Sequence, residues 1–302
     1  MPENIRDIKR RTKSITNTRQ ITRAMQLVAT SKMKRAQKKS GDADPFALGA
    51  WDILKQVTAR LTEKQFHPFW EKNDSKKIGL ILVTSDRGFC GGLNVTLLTK
   101  VLAFIKEQQL LGLSPEIVAV GRKGRDFFKK LGIPIIADFS GLTDHFTVSE
   151  ITPIAHIATK DFLLRNYREI YIAYTLYINT ITQKPIVRKI LPMDIKTFEK
   201  IAELQRASPD ESKQTAKAQY IYEPSSETVF KNLIPYLLEV IVYKAILEAR
   251  ASEHSARMVA MKNATDRAGE MIGDLKLAYN QARQAGITRE IAEISAGRLA
   301  AK

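Results

Sequence analysis

The chain has 302 residues, a formal net charge of +16 and a hydrophobic fraction of 44%, which excludes wholesale disorder and suits one or two domains of ordinary size. So basic a balance points to an acidic partner, whether nucleic acid, anionic membrane or acidic protein surface, without choosing among them. The single cysteine, Cys90, excludes an internal disulfide and fits a reducing compartment.

The opening residues MPENIRDIKRRTK are basic with no apolar stretch behind them, so they do not read as a secretory signal. From about Asn4 to Ser40 the chain reads as helix. Ile5, Ile8, Ile15, Thr18, Thr22, Met25, Ala29, Met33 and Ala36 fall three, four or seven apart and make one continuous stripe. Around it lie twelve Lys and Arg residues against two acids, Asp7 and the flanking Glu3. SGDADP is expected to loosen or kink this helix, which ALGAWDILKQVTARL then resumes, for an N-terminal helical region over residues 1–65.

The middle, residues 76–206, has another grammar. Apolar runs GLILVT, EIVAVG, IPIIADF, EIYIAYTLYI and PIVRKILPM read as strands. The helical patterns LNVTLLTKVLAFIKEQQLLG, RKGRDFFKKLG and SEITPIAHIATKDFLLRNY lie between several of them. Such alternation predicts an α/β domain with a largely parallel sheet. Residues 207–229, rich in Ser, Gln, Lys and Glu, read as a surface linker.

Residues 230–302 carry the strongest pattern. Leu247, Ala251, His254, Met258, Met261, Thr265, Ala268, Ile272, Leu275, Tyr279 and Ala282 step by four and three without a slip, a coiled-coil seam. A helix from Phe230 to Glu293 would be about 95 Å long. The apolar run LIPYLLEVIVYKAIL within it contains Pro235, Glu239 and Lys244 and is too short to cross a bilayer, so a soluble or peripheral protein is expected. The only other long stripe is the N-terminal one. The fold expected is therefore α/β plus a long antiparallel coiled coil, with the N- and C-terminal helices forming the coil and the α/β domain inserted between them. Both stripes are rich in alanine, so the coil is slim.

Candidate chemistry is sparse. SDRGFCGGLN follows an apolar run, where many proteins hold phosphate. A P-loop needs GxxxxGK[ST], and here Gly88, Gly91 and Gly92 are followed by Leu93 and Asn94. A tight strand-to-helix turn explains the glycines. VGRKGRDFF also matches no phosphate motif and reads as a solvated loop. His67, His145, His156 and His254 show no metal-ligand spacing, and no GxSxG nucleophile occurs. Neither a cofactor nor a metal is expected. Cys90 could be a reactive thiol, though a lone cysteine after such a turn is more often incidental. The basic first helix could bind nucleic acid by charge alone, but it lacks aromatics and any known nucleic-acid module.

Three stretches carry a resemblance. IRDIKRRTKSITNTRQITRAMQLVATSKMKRAQ, SDRGFCGGLN and ASEHSARMVAMKNATDRAGEMIGDLKLAYNQARQAGITREIAEI resemble, in that order, segments of the gamma chain family of the F-type ATP synthase. The resemblance implies a non-catalytic rotor shaft whose coil turns inside a ring of alternating alpha and beta subunits. It implies that the α/β domain meets the epsilon subunit and the c-subunit ring. The expected location is peripheral, on the cytoplasmic face of a bacterial inner membrane or the equivalent organelle membrane. By matching positions, Met25, Arg87, Cys90, Arg283, Gln284 and Thr288 are the expected contacts with the alpha–beta ring. One departure is the end SAGRLAAK, where Arg298 and Lys302 stand in place of the family's small apolar run. The competing readings are a basic coiled-coil protein that binds nucleic acid and a stand-alone phosphate-binding enzyme.

Overall fold

A computed structural model describes residues 5–58, 68–193, 223 and 225–300. The elements are α1 (Ile5–Thr58), β1 (Lys77–Val83), α2 (Leu93–Leu110), β2 (Ser114–Val120), α3 (Arg122–Lys130), β3 (Ile135–Asp138), α4 (Val148–Leu163), β4 (Glu169–Tyr177), β5 (Gln183–Leu191) and α5 (Ser226–Ala300). The five strands form one sheet in the order β3-β2-β1-β4-β5. β1 runs parallel to β2 and β4, and β2 parallel to β3; β5 alone is antiparallel, on the far side of β4. The alternating grammar of the middle region thus gives the expected sheet.

Both faces of that sheet are covered, which is why its strands read as continuous apolar runs rather than as alternation. Leu80, Leu82, Ile117 and Ala119 face α2 and α3 through Leu97, Val101, Ile105 and Phe128. Ile81, Val83, Val118 and Ile172 face the opposite way, into a core shared with Ile151, Ile154 and Phe162 of α4 and Ile234, Leu238, Val242 and Ile246 of α5.

The chain divides into two compact units, Ser31–Ala256 and Met1–Thr30 with Arg257–Lys302. The second is the helix pair. Thr265 Oγ1 donates to Thr22 Oγ1 at 2.8 Å, and Arg19 lies over Gly269, where an added Cβ would stand 3.6 Å from its Nε. Near the start of α1, Ile5 Cδ1 lies 4.0 Å from the Cβ position of Gly286. As α1 advances α5 recedes, so the pair is antiparallel.

Two expectations are corrected. The break expected at SGDADP is absent: α1 runs unbroken through it with Pro45 inside. Proline removes one helical hydrogen bond, yet its fixed φ of about −65° is itself helical, so one proline need not end a long helix. α5 begins at Ser226, inside the segment read as linker. Ser225 Oγ accepts the Thr228 N–H at 3.2 Å and caps the helix start. The rest of that expected linker, residues 207–222 and 224, lies outside the described residues, as does His67.

Candidate functional site

In a sheet of this order the connection reverses direction between β1 and β4, and such a reversal opens the crevice where open α/β sheets take ligands. SDRGFCGG leads out of β1 at that point. Its turn is held from within. Ser85 N–H donates to Asn94 Oδ1 at 3.2 Å, while Asn94 Nδ2 donates to Ser85 Oγ at 2.8 Å and to Cys90 Sγ at 3.3 Å. Phe89 and Gly91 take left-handed backbone, with φ of 62° and 58°. Glycine does so freely, whereas phenylalanine stores about 1–2 kcal/mol of strain there. Phe89 is left 70% exposed.

The helix N-terminus beside this turn, a natural anion site, already has its anion. Asp86 Oδ1 accepts the Arg122 N–H at the start of α3, at 3.0 Å, and both Asp86 oxygens lie 3.2 Å from the Gly141 N–H. VGRKGRDFF is accordingly helix from Arg122 onward, as the pattern RKGRDFFKKLG implies, and not the solvated loop that its glycines and cations suggest. Its glycines answer a close approach rather than a ligand. A Cβ on Gly121, whose φ is 103°, would stand 2.2 Å from Thr84 O, and Gly124 N–H donates to Thr84 Oγ1 at 2.9 Å.

The crevice itself is filled by α5. Buried Arg250 donates from Nη1 to Glu253 Oε2 at 2.9 Å and from Nη2 to Leu142 O at 3.0 Å, and Nη2 lies 3.7 Å from Asp86 Oδ2. Ser252 Oγ donates to Thr175 O at 2.8 Å. Between Ser85, Asn94, Thr175, Arg250 and Glu253 only about 10 Å³ is left, room for one water at most.

A second polar cluster lies on the same unit. Asp144 Oδ2 meets Lys32 Nζ at 2.7 Å, and Asp144 Oδ1 meets His254 Nε2 at 3.1 Å. The His254 hydrogen bond, with Lys32 and against the opposing effect of burial, holds the Asp144 carboxyl well below the usual carboxylate range. Lys32, Arg35, Lys39, Asp144, Arg250 and His254 line a cleft of about 310 Å³ there. Among the described residues no group of three or more His, Cys, Asp or Glu side chains could hold a metal ion. None of the described helices is long and apolar enough to cross a membrane.

On the helix pair the seam is small, and several large aliphatic side chains stand outside it among the charged ones. Ile8, Thr22, Ala29, Met261, Thr265 and Ala268 are buried, while Ile21, Leu27 and Val28 on α1 and Met271, Leu277 and Ile287 on α5 are exposed. All residues from Arg289 to Ala296 are exposed, and Ile287, Ile291 and Ile294 line up along one side of that stretch.

The ATP synthase family model matches residues 4–300 of this chain. This chain belongs to the ATP synthase gamma chain family. It is 38% identical over 295 residues to the ATP synthase gamma chain of Polaromonas naphthalenivorans, covering 97% of each. It is 40% identical over 299 residues to that of Chloroflexus aurantiacus, covering 98% of each. In fold it is similar to a chain of the Euglena gracilis mitochondrial ATP synthase OSCP/F1/c-ring structure, with a TM-score of 0.64 at 18% identity over 98% of this chain and 94% of that one. A chain of the Tetrahymena thermophila mitochondrial ATP synthase central stalk and c-ring gives a TM-score of 0.58 at 23% identity, covering 81% and 99%.

Against this family background, the sequence-derived contact residues fall into three places. Arg283, Gln284 and Thr288 are exposed within two turns of α5, with Thr288 Oγ1 donating to Gln284 O at 3.0 Å. Met25 is half-buried on α1, opposite the Thr265 region and so about 30 Å along the pair from those three. Arg87 and Cys90 belong to the other unit. Arg87 is exposed, but Cys90 is 2% exposed and its sulfur accepts a hydrogen bond from Asn94. Sequence reasoning passed over Asp86, Asp144 and Arg250. A lone Asp or Arg has no periodic signature, and only the fold brings these to His254 and Lys32.

Proposed function

We propose that this chain is the central shaft of a rotary ATP synthase, a non-catalytic subunit that couples rotation of a membrane c ring to conformational change in a surrounding alpha–beta ring. The observation that carries the reading beyond family membership is the pairing of a small-residue seam with large aliphatic side chains left exposed among the charges outside it. A coil built to stand in water would bury Ile21, Leu27, Met271, Leu277 and Ile291, whereas here they are exposed. Such an exterior suits a sleeve of other subunits. The filled crevice accords with nucleotide chemistry lying in the partner ring.

In this reading Met25, Arg283, Gln284 and Thr288 meet the ring along the coil. At the SDRGFCGG turn Arg87 and Phe89 make the contact, with Cys90 holding the turn from beneath. Contacts that break and reform as the shaft turns suit exposed polar groups better than a deep apolar lock. The +16 charge suits acidic loops on the ring. The sheet unit would meet the c ring and an epsilon subunit, making the chain peripheral to the membrane through its complex. Mixing the chain with purified alpha and beta subunits tests this by native mass spectrometry and ATPase assay. One copy per ring with enhanced, sustained hydrolysis is expected. A folded chain that neither assembles nor changes activity, or that binds DNA with a steep salt dependence, would overturn it.

A further inference from the structure

The cleft beside Asp144 is lined only by residues of the sheet unit, Ser31–Ala256, and the proposed ring contacts include none of them. Its lining includes Arg250 and His254 of α5, 7% and 4% exposed, and the buried Ala36, Phe146 and Leu247. Its volume of about 310 Å³ stands at the small end of the range for ligand pockets.

The charges of that lining fall into two sets. Asp144 is met by Lys32 at 2.7 Å and by His254 at 3.1 Å, and Arg250 by Glu253 at 2.9 Å. These groups answer one another. Arg35, Lys38 and Lys39 do not: spaced i, i+3 and i+4, they share one face of α1 and have no carboxylate partner among the described residues. Asp42 is the only other acid in the lining. Lys39 Nζ lies 5.9 Å from the centroid of the Phe146 ring, which steadies its ammonium at the cleft. Arg250 carries five N–H groups and directs two of them to Glu253 Oε2 and Leu142 O. Cations gathered without counter-charge repel one another, a cost that a bound anion removes. A merely solvated cationic face would not adjoin a recess with buried Arg250 and His254 in its lining.

We propose that this cleft binds a small, multiply charged phosphate anion of the inorganic diphosphate class. Two phosphoryl groups supply charge to match Arg35, Lys38 and Lys39, and the planar fork of arginine fits two phosphate oxygens at once. A helix of an acidic protein does not fit: two turns, about 10 Å across and about 11 Å long, need more than twice the volume present. The proposal does not depend on the rotor reading.

The test is calorimetric titration of the full-length chain with sodium pyrophosphate at constant ionic strength. Saturable one-to-one binding is expected. Arg35→Gln and Lys38→Gln, both at exposed positions where folding tolerates the change, should each weaken it about tenfold. Arg35→Lys, which keeps the charge but loses the fork, should give a smaller loss. Lys123→Gln, an exposed cation of α3 outside the cleft, should leave binding unchanged. Absence of saturable binding overturns the proposal, as does an equal loss in Lys123→Gln, the mark of diffuse charge attraction. Capture of the chain by phosphatidylglycerol vesicles, lost in Arg35→Gln, without pyrophosphate binding also overturns it and assigns these cations to a lipid surface.

Discussion

In the sheet unit the buried core is made of large side chains, with Ile81, Leu82, Val101, Phe128, Ile172 and Leu238 each at 1% exposure or less. In the helix pair the buried positions are mostly Ala29, Thr22, Thr265 and Ala268, with Ile8 and Met261 the larger exceptions, and large aliphatic groups lie outside. The sheet unit therefore carries its own stability, since each large buried side chain contributes about 1.5–3 kcal/mol. The pair buries little per turn and leaves its apolar surface for others. One chain thus joins a domain with a large-residue core to a helix pair with a small-residue seam.

Gly121→Ala should have the largest effect on stability. The new methyl would stand 2.2 Å from Thr84 O at a residue of φ 103°, so a loss of more than about 3 kcal/mol is expected in denaturant titration. Ile172→Ala, in the centre of the sheet, should lose about 2–5 kcal/mol. A small loss there would mean that the large-residue core does not carry the stability of the sheet unit.

Asp144→Asn should lower Tm at neutral pH. The native carboxyl is held below the ordinary aspartate range of about 4, so its contribution is present above that pH and is lost as pH falls through the native pKa. The Tm gap between variant and wild type should therefore narrow as pH drops below about 4. A gap constant with pH would remove the ionic part of the argument.

The smallest effect is expected in the coil. Thr265→Val removes the bond across the pair while Thr22 Oγ1 keeps Arg19 O at 3.0 Å, so a loss of no more than about 1 kcal/mol is expected, and Thr22→Val with Thr265→Val should add little to it. Helicity melts on both variants distinguish a polar register pin from incidental contact.

The fold was legible wherever periodicity is the signal. The seam from Leu247 to Ala282 is buried or half-buried at every position named from spacing. On α1 the stripe holds except at Thr18, which is exposed; Arg19 lies on the paired side instead, over Gly269. A glycine facing a long cation is a pairwise accommodation that no single-helix period contains. The glycines of SDRGFCGG signal the turn that the chain makes there, but nothing in them signals the filling of the crevice. Asp86, Leu142 and Arg250 are separated by long stretches of chain and meet only once the sheet order is set. The continuity of α1 through Pro45 has no local signature, because proline's own tendency opposes helix while the long helix on either side sustains it.

The measurement that tests the account most directly is rotation. With an alpha–beta ring fixed to a surface and a probe attached to the sheet unit, for instance through a cysteine introduced at exposed Leu110, ATP is added and the probe is watched. The account predicts sustained rotation in one direction that stops when ATP is exhausted. A probe that stays bound yet only fluctuates while the ring hydrolyses ATP would contradict it.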